Sequence, residues 1–324
     1  MCFAADHFPL THSIRQMTQE AVIGCKALKT ESHGMCETCH AMKTTDVDRL
    51  RTKLTKPFHR ALFDATLQSL RDTGNPLHAT NFSNGFRELT RNALDSLAPK
   101  EQIKASPWFK PDPTSKDGFT RRHRIQFVIH GGLSPEFAEE ELGIDVDGEA
   151  KALRDAVDKL NKFVHVNEDT FEVDAAHLSE ISEGAISALA DLLDCADNSR
   201  RKLCDHLEKR VHKALLEEVL RKTINDIDII ATHHTVEDIS VEEVQLVSLT
   251  GTHLTLAVSG YVEVELQWGS GGDLRRGEGA TMDDSFPLTC KFTSSVDTPD
   301  KFDLAPGSLK VDKDSWFGID EDSL

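Results

Sequence analysis

The 324-residue sequence contains no apolar run close to the roughly 20 residues that a membrane-spanning helix needs. Its first residues do not resemble a secretion signal, because Asp6 and His7 interrupt the apolar stretch. It has seven cysteines, an odd number, and they are scattered rather than spaced as a disulfide framework. We therefore expect a cytoplasmic protein with reduced thiols and no membrane partner.

Two widespread catalytic motifs are also missing. The glycine-rich stretch 269–279 lacks the Gly-Lys-Ser/Thr ending of a nucleotide-binding Walker loop, and no Gly-x-Ser-x-Gly nucleophile elbow occurs. The sequence therefore gives no support to a P-loop nucleotidase or a serine hydrolase.

Acidic residues outnumber basic ones, 55 to 37. The formal net charge is −18, and residues 226–324 hold 20 acids against 6 bases. This balance disfavours broad, non-specific binding to nucleic acid. The stretch 100–130 is locally basic, and the phosphate contacts predicted there come from Lys110, Arg121, Arg122 and Arg124. An ordinary solvated surface is the alternative interpretation of these charges.

The hydrophobic patterning predicts an α+β fold, in which an N-terminal helical domain (46–225) is followed by a small antiparallel β-sheet domain (226–296). Residues 1–45 lack periodicity and predict a weakly structured extension. Residues 297–324 are rich in Asp, Ser and Pro and predict a poorly ordered acidic tail.

Some boundaries can be predicted more closely. Asn81 is a candidate cap for the helix that follows it, and Ser134-Pro135 marks another helix start. The helix-forming stretch 175–224 predicts two helices separated near residues 197–199. Residues 227–231 and 244–249 predict strands.

The longest strand signal runs from His253 to Trp268, where apolar residues alternate with polar ones. Glu263, Glu265 and Gln267 therefore share one face, and the charged loop 269–279 follows. Oxygen ligands suit Mg²⁺, so we predict a magnesium site at Glu263, Glu265 and Asp273, with Arg275 and Arg276 steadying a phosphate. Glu278, Asp283 and Asp284 are further acids that could hold the ion. The alternative is a solvated sheet face, and the (D/E)-x-K lysine of restriction nucleases is absent after Glu263.

Two further patterns carry weaker chemistry. Cys36 and Cys39 have the C-x-x-C spacing of zinc sites, with His33 and His40 beside them, although isolated pairs of this kind are often non-functional.

The Arg-x4-6-His signature of HEPN ribonucleases, which are helical bundles, occurs at Arg124/His130 and at Arg201/His206. A chain with 15 histidines is expected to match this spacing by chance. The matches nevertheless give the predicted helical domain a HEPN-like character.

Several phrases occur together in a fixed order: Asn81-Phe-Ser-Asn-Gly-Phe-Arg87-Glu88-Leu89, Trp108-Phe109-Lys110-Pro111, Thr120-Arg121-Arg122 before Gly131-Gly132, Leu160-Asn-Lys162-Phe-Val-His165, and Val262-Glu-Val-Glu265-Leu-Gln267 before Asp273-Leu-Arg275-Arg276. In this order they resemble the bacterial proteins called predicted pPIWI-associating nucleases. The resemblance covers about residues 50–296.

The resemblance implies a nuclease of a prokaryotic anti-phage or conflict system, acting on nucleic acid beside a partner protein. It adds Lys162 and His165 to the candidate nucleic-acid contacts. We expect metal-dependent phosphodiester hydrolysis at the acids of the sheet. The alternatives are a non-catalytic sensor or adaptor, which binds a partner through its sheet and acidic tail, and a metal-independent HEPN-type ribonuclease.

Overall fold

A computed structural model describes residues 44–171, 173–221 and 225–317, all within one compact unit that spans residues 41–324. The predicted extension 1–45, apart from its last two residues, and the Cys36–Cys39 pair lie outside the described residues. Helices come first and an antiparallel sheet follows, which confirms the α+β layout. In the described part of the chain, no helix is both long and apolar enough to cross a membrane.

The helices before the sheet differ greatly in length. They are α1 (Thr44–Lys53), α2 (Pro57–Arg71), α3 (His78–Leu97), α4 (Lys100–Ala105), α5 (Arg121–His130), α6 (Pro135–Glu140), α7 (Val146–Asn161), α8 (Glu168–Phe171), α9 (Ala175–Arg221) and α10 (Asn225–Asp228).

Helix ends follow local chemistry in some places and not in others. Ser134 accepts a hydrogen bond from the Phe137 backbone N–H and caps α6, as predicted. Gly131 ends α5 with a φ of +59°, a conformation that glycine adopts readily. The predicted cap at Asn81 is wrong, because α3 begins three residues earlier and the Asn81 backbone N–H donates to the Leu77 carbonyl at 2.8 Å.

The predicted break near residues 197–199 is also wrong, since α9 runs without interruption for 47 residues. Ser199 is buried there, and Ala196 and Leu203 on either side of it are buried as well. The apolar stripe therefore continues through the helix-neutral Asp-Asn-Ser segment. Packing along this stripe outweighs the weak local propensity to stop.

The sheet consists of three long strands and two short ones. They are β1 (His233–Leu249), β2 (His253–Trp268), β3 (Ala280–Ser295), β4 (Asp303–Leu304) and β5 (Lys310–Val311), all paired antiparallel, with β1, β2, β3 and β4 in that order and β5 also on β3. A short helix, α11 (Gly271–Arg276), joins β2 to β3. The predicted bounds of β2 are confirmed.

The strand predicted at residues 227–231 is wrong. This segment forms α10 and a turn in which the Ile230 backbone N–H donates to the Ile227 carbonyl at 2.9 Å. Ile227 and Ala231 are buried, so the apolar residues that suggest a strand fill the core from a turn. Strand β1 begins only at His233 and carries three bulges.

Residues 303–317, predicted from composition to be poorly ordered, pack onto the sheet. Besides β4 and β5 they form a 3-10 turn, Asp314–Phe317. Trp316 stacks on Trp268 at a ring separation of 6.1 Å, and Val311 is buried against β3. A few well-placed apolar side chains thus hold a segment whose average composition is polar.

The sheet is joined to the helices at the turn between β1 and β2. The Gly132 backbone N–H donates to the Thr250 carbonyl at 3.0 Å, and the Gly251 backbone N–H donates to Oε1 of Gln102 at 2.9 Å. Trp108 Nε1 donates to the Gly131 carbonyl at 2.9 Å. One hydrophobic core includes buried residues of the helices and of the inner face of the sheet.

Candidate functional site

The outer face of the sheet carries two rows of opposed carboxylates. Here the outer face means the polar side of β1, β2 and β3. On it Glu265 of β2 lies directly opposite Asp283 of β3, and Glu263 of β2 lies opposite Asp238 of β1. Side chains opposed in this way have Cβ atoms about 4.5–5.5 Å apart. The inner-face neighbours Val262 and Val264 are buried, which fixes the direction of the acids.

This arrangement of opposed acids is unfavourable for the stability of the sheet. Like charges directly opposite each other destabilise an antiparallel pair, and no ion pair within 4.0 Å relieves any of these four acids in the part of the chain that the structure describes. Such conflicts are expected mainly at functional sites. Across the described ranges, no group of three or more His, Cys, Asp and Glu side chains is placed to hold a metal ion.

The third predicted magnesium ligand, Asp273, is engaged within α11. One of its carboxylate oxygens accepts from the backbone N–H and the hydroxyl of Ser270, both at 2.7 Å, and the other pairs with Arg276. The Ser270 bonds lower the pKa of Asp273. Arg276 also pairs with Glu278, whereas Arg275 is exposed. The structure therefore gathers Glu263 and Glu265 on the sheet and gives Asp273 a separate role as a helix cap.

A second candidate lies in a cleft of about 300 Å³, where α9 meets the loop after β3. His206 Nδ1 lies 4.0 Å from a Glu141 carboxylate oxygen, and its ring meets Phe137 edge-on at 5.5 Å. Arg210, one turn further along α9, pairs with Asp300. The cleft is lined by Phe137, Glu141, His206, Arg210 and residues 297–301.

The predicted pairing of His206 with Arg201 does not fit this cleft. Arg201 and His206 are five residues apart in α9, and five residues rotate the side-chain direction by about 140° about the helix axis. The two side chains therefore point to different sides of the helix. Arg210 is four positions from His206, shares its side of the helix and lines the same cleft.

The other HEPN-type pair, Arg124 and His130, is engaged in contacts within the protein. His130 is fully buried beside Trp108, with 5.4 Å between the ring centroids, and neither ring nitrogen has a hydrogen-bond partner in the described residues. Burial lowers the pKa of His130 to about 4. Arg124 pairs with Asp95 on α3. A neutral, enclosed imidazole cannot reach a substrate.

The buried His130 predicts a pH-dependent stability. A folded-state pKa of about 4, below the ordinary value of 6.5, means that its stabilising contribution is complete at neutral pH and is lost as the pH falls from 6.5 towards 4. The loss by pH 4 should be about 3 kcal/mol. Denaturant unfolding of wild type and His130→Leu at pH 7 and pH 4 measures it. Equal losses in both proteins would contradict the assignment.

The predicted phosphate contacts separate into paired and unpaired cations. Arg122 pairs with Asp147 at 2.7 Å, and Arg124 pairs with Asp95. Arg121 has no such ion pair within the described ranges, and burial by surrounding protein atoms lowers its pKa, with Asp158 opposing the shift and Arg87 adding to it. The remaining predicted contacts, Lys110, Lys162 and His165, are exposed.

Asp238 escaped the sequence analysis, and so did the position of Asp283 directly opposite Glu265. Both depend on strand register, which the alternation of β2 alone does not give.

Comparison with protein-family models shows which family the chain belongs to. Two family models, both described as predicted pPIWI-associating nuclease, match residues 51–189 and 196–317. The chain belongs to the predicted pPIWI-associating nucleases. The resemblance inferred from the sequence phrases is thereby confirmed. No curated protein and no solved structure matches the chain.

The candidate sites of this member of the predicted pPIWI-associating nuclease family divide between the matched segments. Arg121 and His130 lie in the first, whereas His206 and the acids of the outer face lie in the second. Of these candidate sites, only the cleft contains residues of both matched segments, since Phe137 and Glu141 come from the first segment.

Proposed function

We propose that the protein hydrolyses phosphodiester bonds of nucleic acid, and that the site lies on the outer face of the sheet around Glu265 and Asp283. The observation that carries this proposal is the direct opposition of two acids on paired strands without a compensating cation. Like charges directly opposite each other destabilise an antiparallel pair, and a bound cation would offset the repulsion. Family membership supports the nuclease activity itself.

Magnesium dependence is part of the proposal. Mg²⁺ is commonly bound by one or two carboxylates together with waters and substrate phosphates, rather than by a complete protein cage. Glu265 and Asp283 offer such a pair, with Glu263 and Asp238 one row away. The ion would supply an activated water, while the exposed Arg275 beyond β2 would attract the phosphate. Asp273 would support this site by holding α11 rather than by binding the ion.

The biological setting is also proposed. The family description names association with pPIWI proteins, so we propose that the nuclease acts in the cytoplasm beside a protein partner in a prokaryotic defence system. The strongly acidic chain needs help to approach nucleic acid, and a partner that binds the nucleic acid would provide it.

A specific observation favours a second candidate, a metal-independent ribonuclease in the cleft of α9. His206 beside Glu141 can accept a proton, and Arg210 can contact a phosphate. This assignment keeps the proposed HEPN-like character of the helical part but replaces Arg201 by Arg210. The adaptor alternative is less favoured, since the three bulges of β1 interrupt the edge that an added strand would need.

Cleavage assays distinguish these functions. Purified protein is incubated with single- and double-stranded DNA and RNA, with Mg²⁺, with Mn²⁺ or with a chelator. We expect cleavage that needs the metal and that survives His206→Ala. Cleavage in chelator that disappears in His206→Ala would transfer the site to the cleft. Absence of cleavage, with the partner protein also present, would favour the adaptor.

A further inference from the structure

The outer face of the sheet changes character along β2. Residues that lie directly opposite one another across the strands form rows, and Glu263 and Glu265 occupy two neighbouring rows near the C-terminal end of β2. The next row, two residues earlier on β2, has Tyr261 at its centre, with Ser240 of β1 and Pro287 of β3 on either side. An aromatic side chain therefore stands beside the acids on the same face.

Tyr261 is the only tyrosine of the chain, and its side chain is open to solvent although β2 is a central strand. Its exposed fraction is 37%. Aromatic side chains stabilise a sheet mainly by packing on large cross-strand neighbours, and Ser240 and Pro287 are small. Within the described residues, Tyr261 makes no contact with another aromatic ring and its hydroxyl has no hydrogen-bond partner. The ring is therefore available to a ligand.

Two lysines lie on the same face beside Tyr261. Lys310 of β5 is directly opposite Thr289 of β3, and Lys291 is two residues further along β3, so the two lysines are diagonal neighbours. Thr289 is in turn diagonal to Tyr261, whose direct partner on β3 is Pro287. Diagonal neighbours in an antiparallel pair lie about 7–8 Å apart. Both lysines are exposed, and neither forms an ion pair within 4.0 Å in the part of the chain that the structure describes.

Charge is thus separated along the outer face. Residues 226–324 hold only 6 bases against 20 acids, yet two of the bases stand together here. Glu243 of β1 and Asp303 of β4 occupy neighbouring rows, but neither is within ion-pair distance of the lysines. Two cations without ion pairs, beside an uncovered aromatic ring, offer phosphate contacts and a stacking surface together.

We propose that Tyr261, Lys291 and Lys310 bind a single strand of nucleic acid, with one base stacked on the tyrosine ring and backbone phosphates on the lysines. Stacking on a side chain requires a base whose face is free, and the paired bases of a duplex do not present one. A strand rises about 3.3 Å per residue, so Tyr261 lies about 13 Å along β2 from Glu265. A nucleic-acid strand held here would extend to the proposed hydrolysis site. The inference rests on the proposed nuclease function for the use of this strand as substrate.

The test measures binding without cleavage. Fluorescein-labelled single strands of DNA and RNA, and the matching duplexes, are titrated with the full chain in chelator across a salt series, and fluorescence anisotropy gives the affinity. We expect Tyr261→Ala to weaken single-strand binding about tenfold with the salt dependence of wild type, because stacking releases no counterions. Lys291→Gln and Lys310→Gln should each lower the slope of log affinity against log salt by about 0.7.

Three further variants serve as controls. Tyr261→Phe keeps the ring and should bind as wild type does, which separates stacking from a role of the hydroxyl. Phe58→Ala removes an exposed ring from α2, and Lys151→Gln removes an exposed positive charge from α7. Both should keep the affinity within about twofold of wild type. The side chains of the proposed site are exposed, so its variants should retain the fold, which their melting temperatures verify.

The controls decide the outcome. Equal weakening in the controls and in the site variants would reveal a general effect and overturn the proposal. Unchanged affinity in Tyr261→Ala, tighter binding of the duplex than of the single strand, or a wild type that binds no oligonucleotide would overturn it as well. If ATP raises the melting temperature of wild type but not of Tyr261→Ala, while their oligonucleotide affinities stay equal, the ligand is a free nucleotide and the single-strand assignment is wrong.

Failure here and failure of the nuclease proposal remain separate. Wild type that cleaves while Tyr261→Ala binds and cleaves normally would refute the single-strand site alone. Single-strand binding that depends on Tyr261 and both lysines, in a protein that never cleaves, would keep the site and refute the nuclease.

Discussion

Glu265→Gln is expected to lower the rate of metal-dependent cleavage by about 100-fold or more, because it removes one of the two opposed carboxylates while preserving the size of the side chain. Asp283→Asn should have an effect of the same order, since the pair acts as a unit. The measurement is the single-turnover rate on the best substrate at saturating Mg²⁺ or Mn²⁺.

The same substitution has an opposite expected effect on stability. Replacing Glu265 by a neutral residue relieves its repulsion with Asp283, so the free energy of unfolding should rise by up to about 1 kcal/mol. Lost activity together with equal or greater stability is the signature of a site that is maintained for function. Simple damage to the fold would lower both quantities.

Glu243→Gln provides the matched control. Glu243 occupies the same outer face but lies opposite Ser259, which is uncharged. We expect its cleavage rate to stay within about threefold of wild type. If Glu265→Gln, like Glu243→Gln, keeps a cleavage rate close to that of wild type, the acidic face serves solubility and not catalysis.

Gly251→Ala is expected to cost about 3 kcal/mol or more in the free energy of unfolding, because its new methyl group has no space. A Cβ at this position would lie 2.1 Å from the Gln102 carbonyl oxygen, a backbone atom of α4. The turn between β1 and β2 would have to withdraw from the helices and would lose the hydrogen bond to Gln102. Thermal unfolding should show a decrease in melting temperature of about 6–12 °C.

Gly184→Ala is the control for this change. A Cβ at Gly184, which lies exposed within α9, would meet nothing within 4 Å. The same chemical substitution should there stabilise the protein by about 0.5–1 kcal/mol, because alanine favours the helix. If Gly251→Ala melts at the wild-type temperature, the close contact at the joint does not hold the sheet in place.

Local signals in the sequence predict well where one pattern dominates. The alternation from residue 253 to 268 gives both ends of β2, and Ser134 and Gly131 give helix boundaries, since each depends on neighbours within a few residues. Prediction fails where distant residues decide. The continuity of α9 through Ser199 depends on what packs against it, and the order of residues 303–317 depends on the contact of Trp316 with Trp268.

The candidate site divides in the same way. Glu263 and Glu265 can be placed on one face from period two alone, whereas their partners Asp238 and Asp283 require the register of three strands, with bulges in β1. Asp273 follows the acids closely in sequence, and that proximity suggested a shared ion. Its side chain instead caps α11, because Ser270 lies three residues before it, at the spacing of a reciprocal cap.

The two matched family segments meet inside α9, between residues 189 and 196, and this has a practical consequence. Leu189, Leu192 and Leu193 near the division are buried and belong to one continuous apolar stripe. A protein cut there would expose this stripe on both pieces. Each half made alone should therefore aggregate, and the two should recover solubility only when produced together, so the division between the families is no guide to fragments that fold independently.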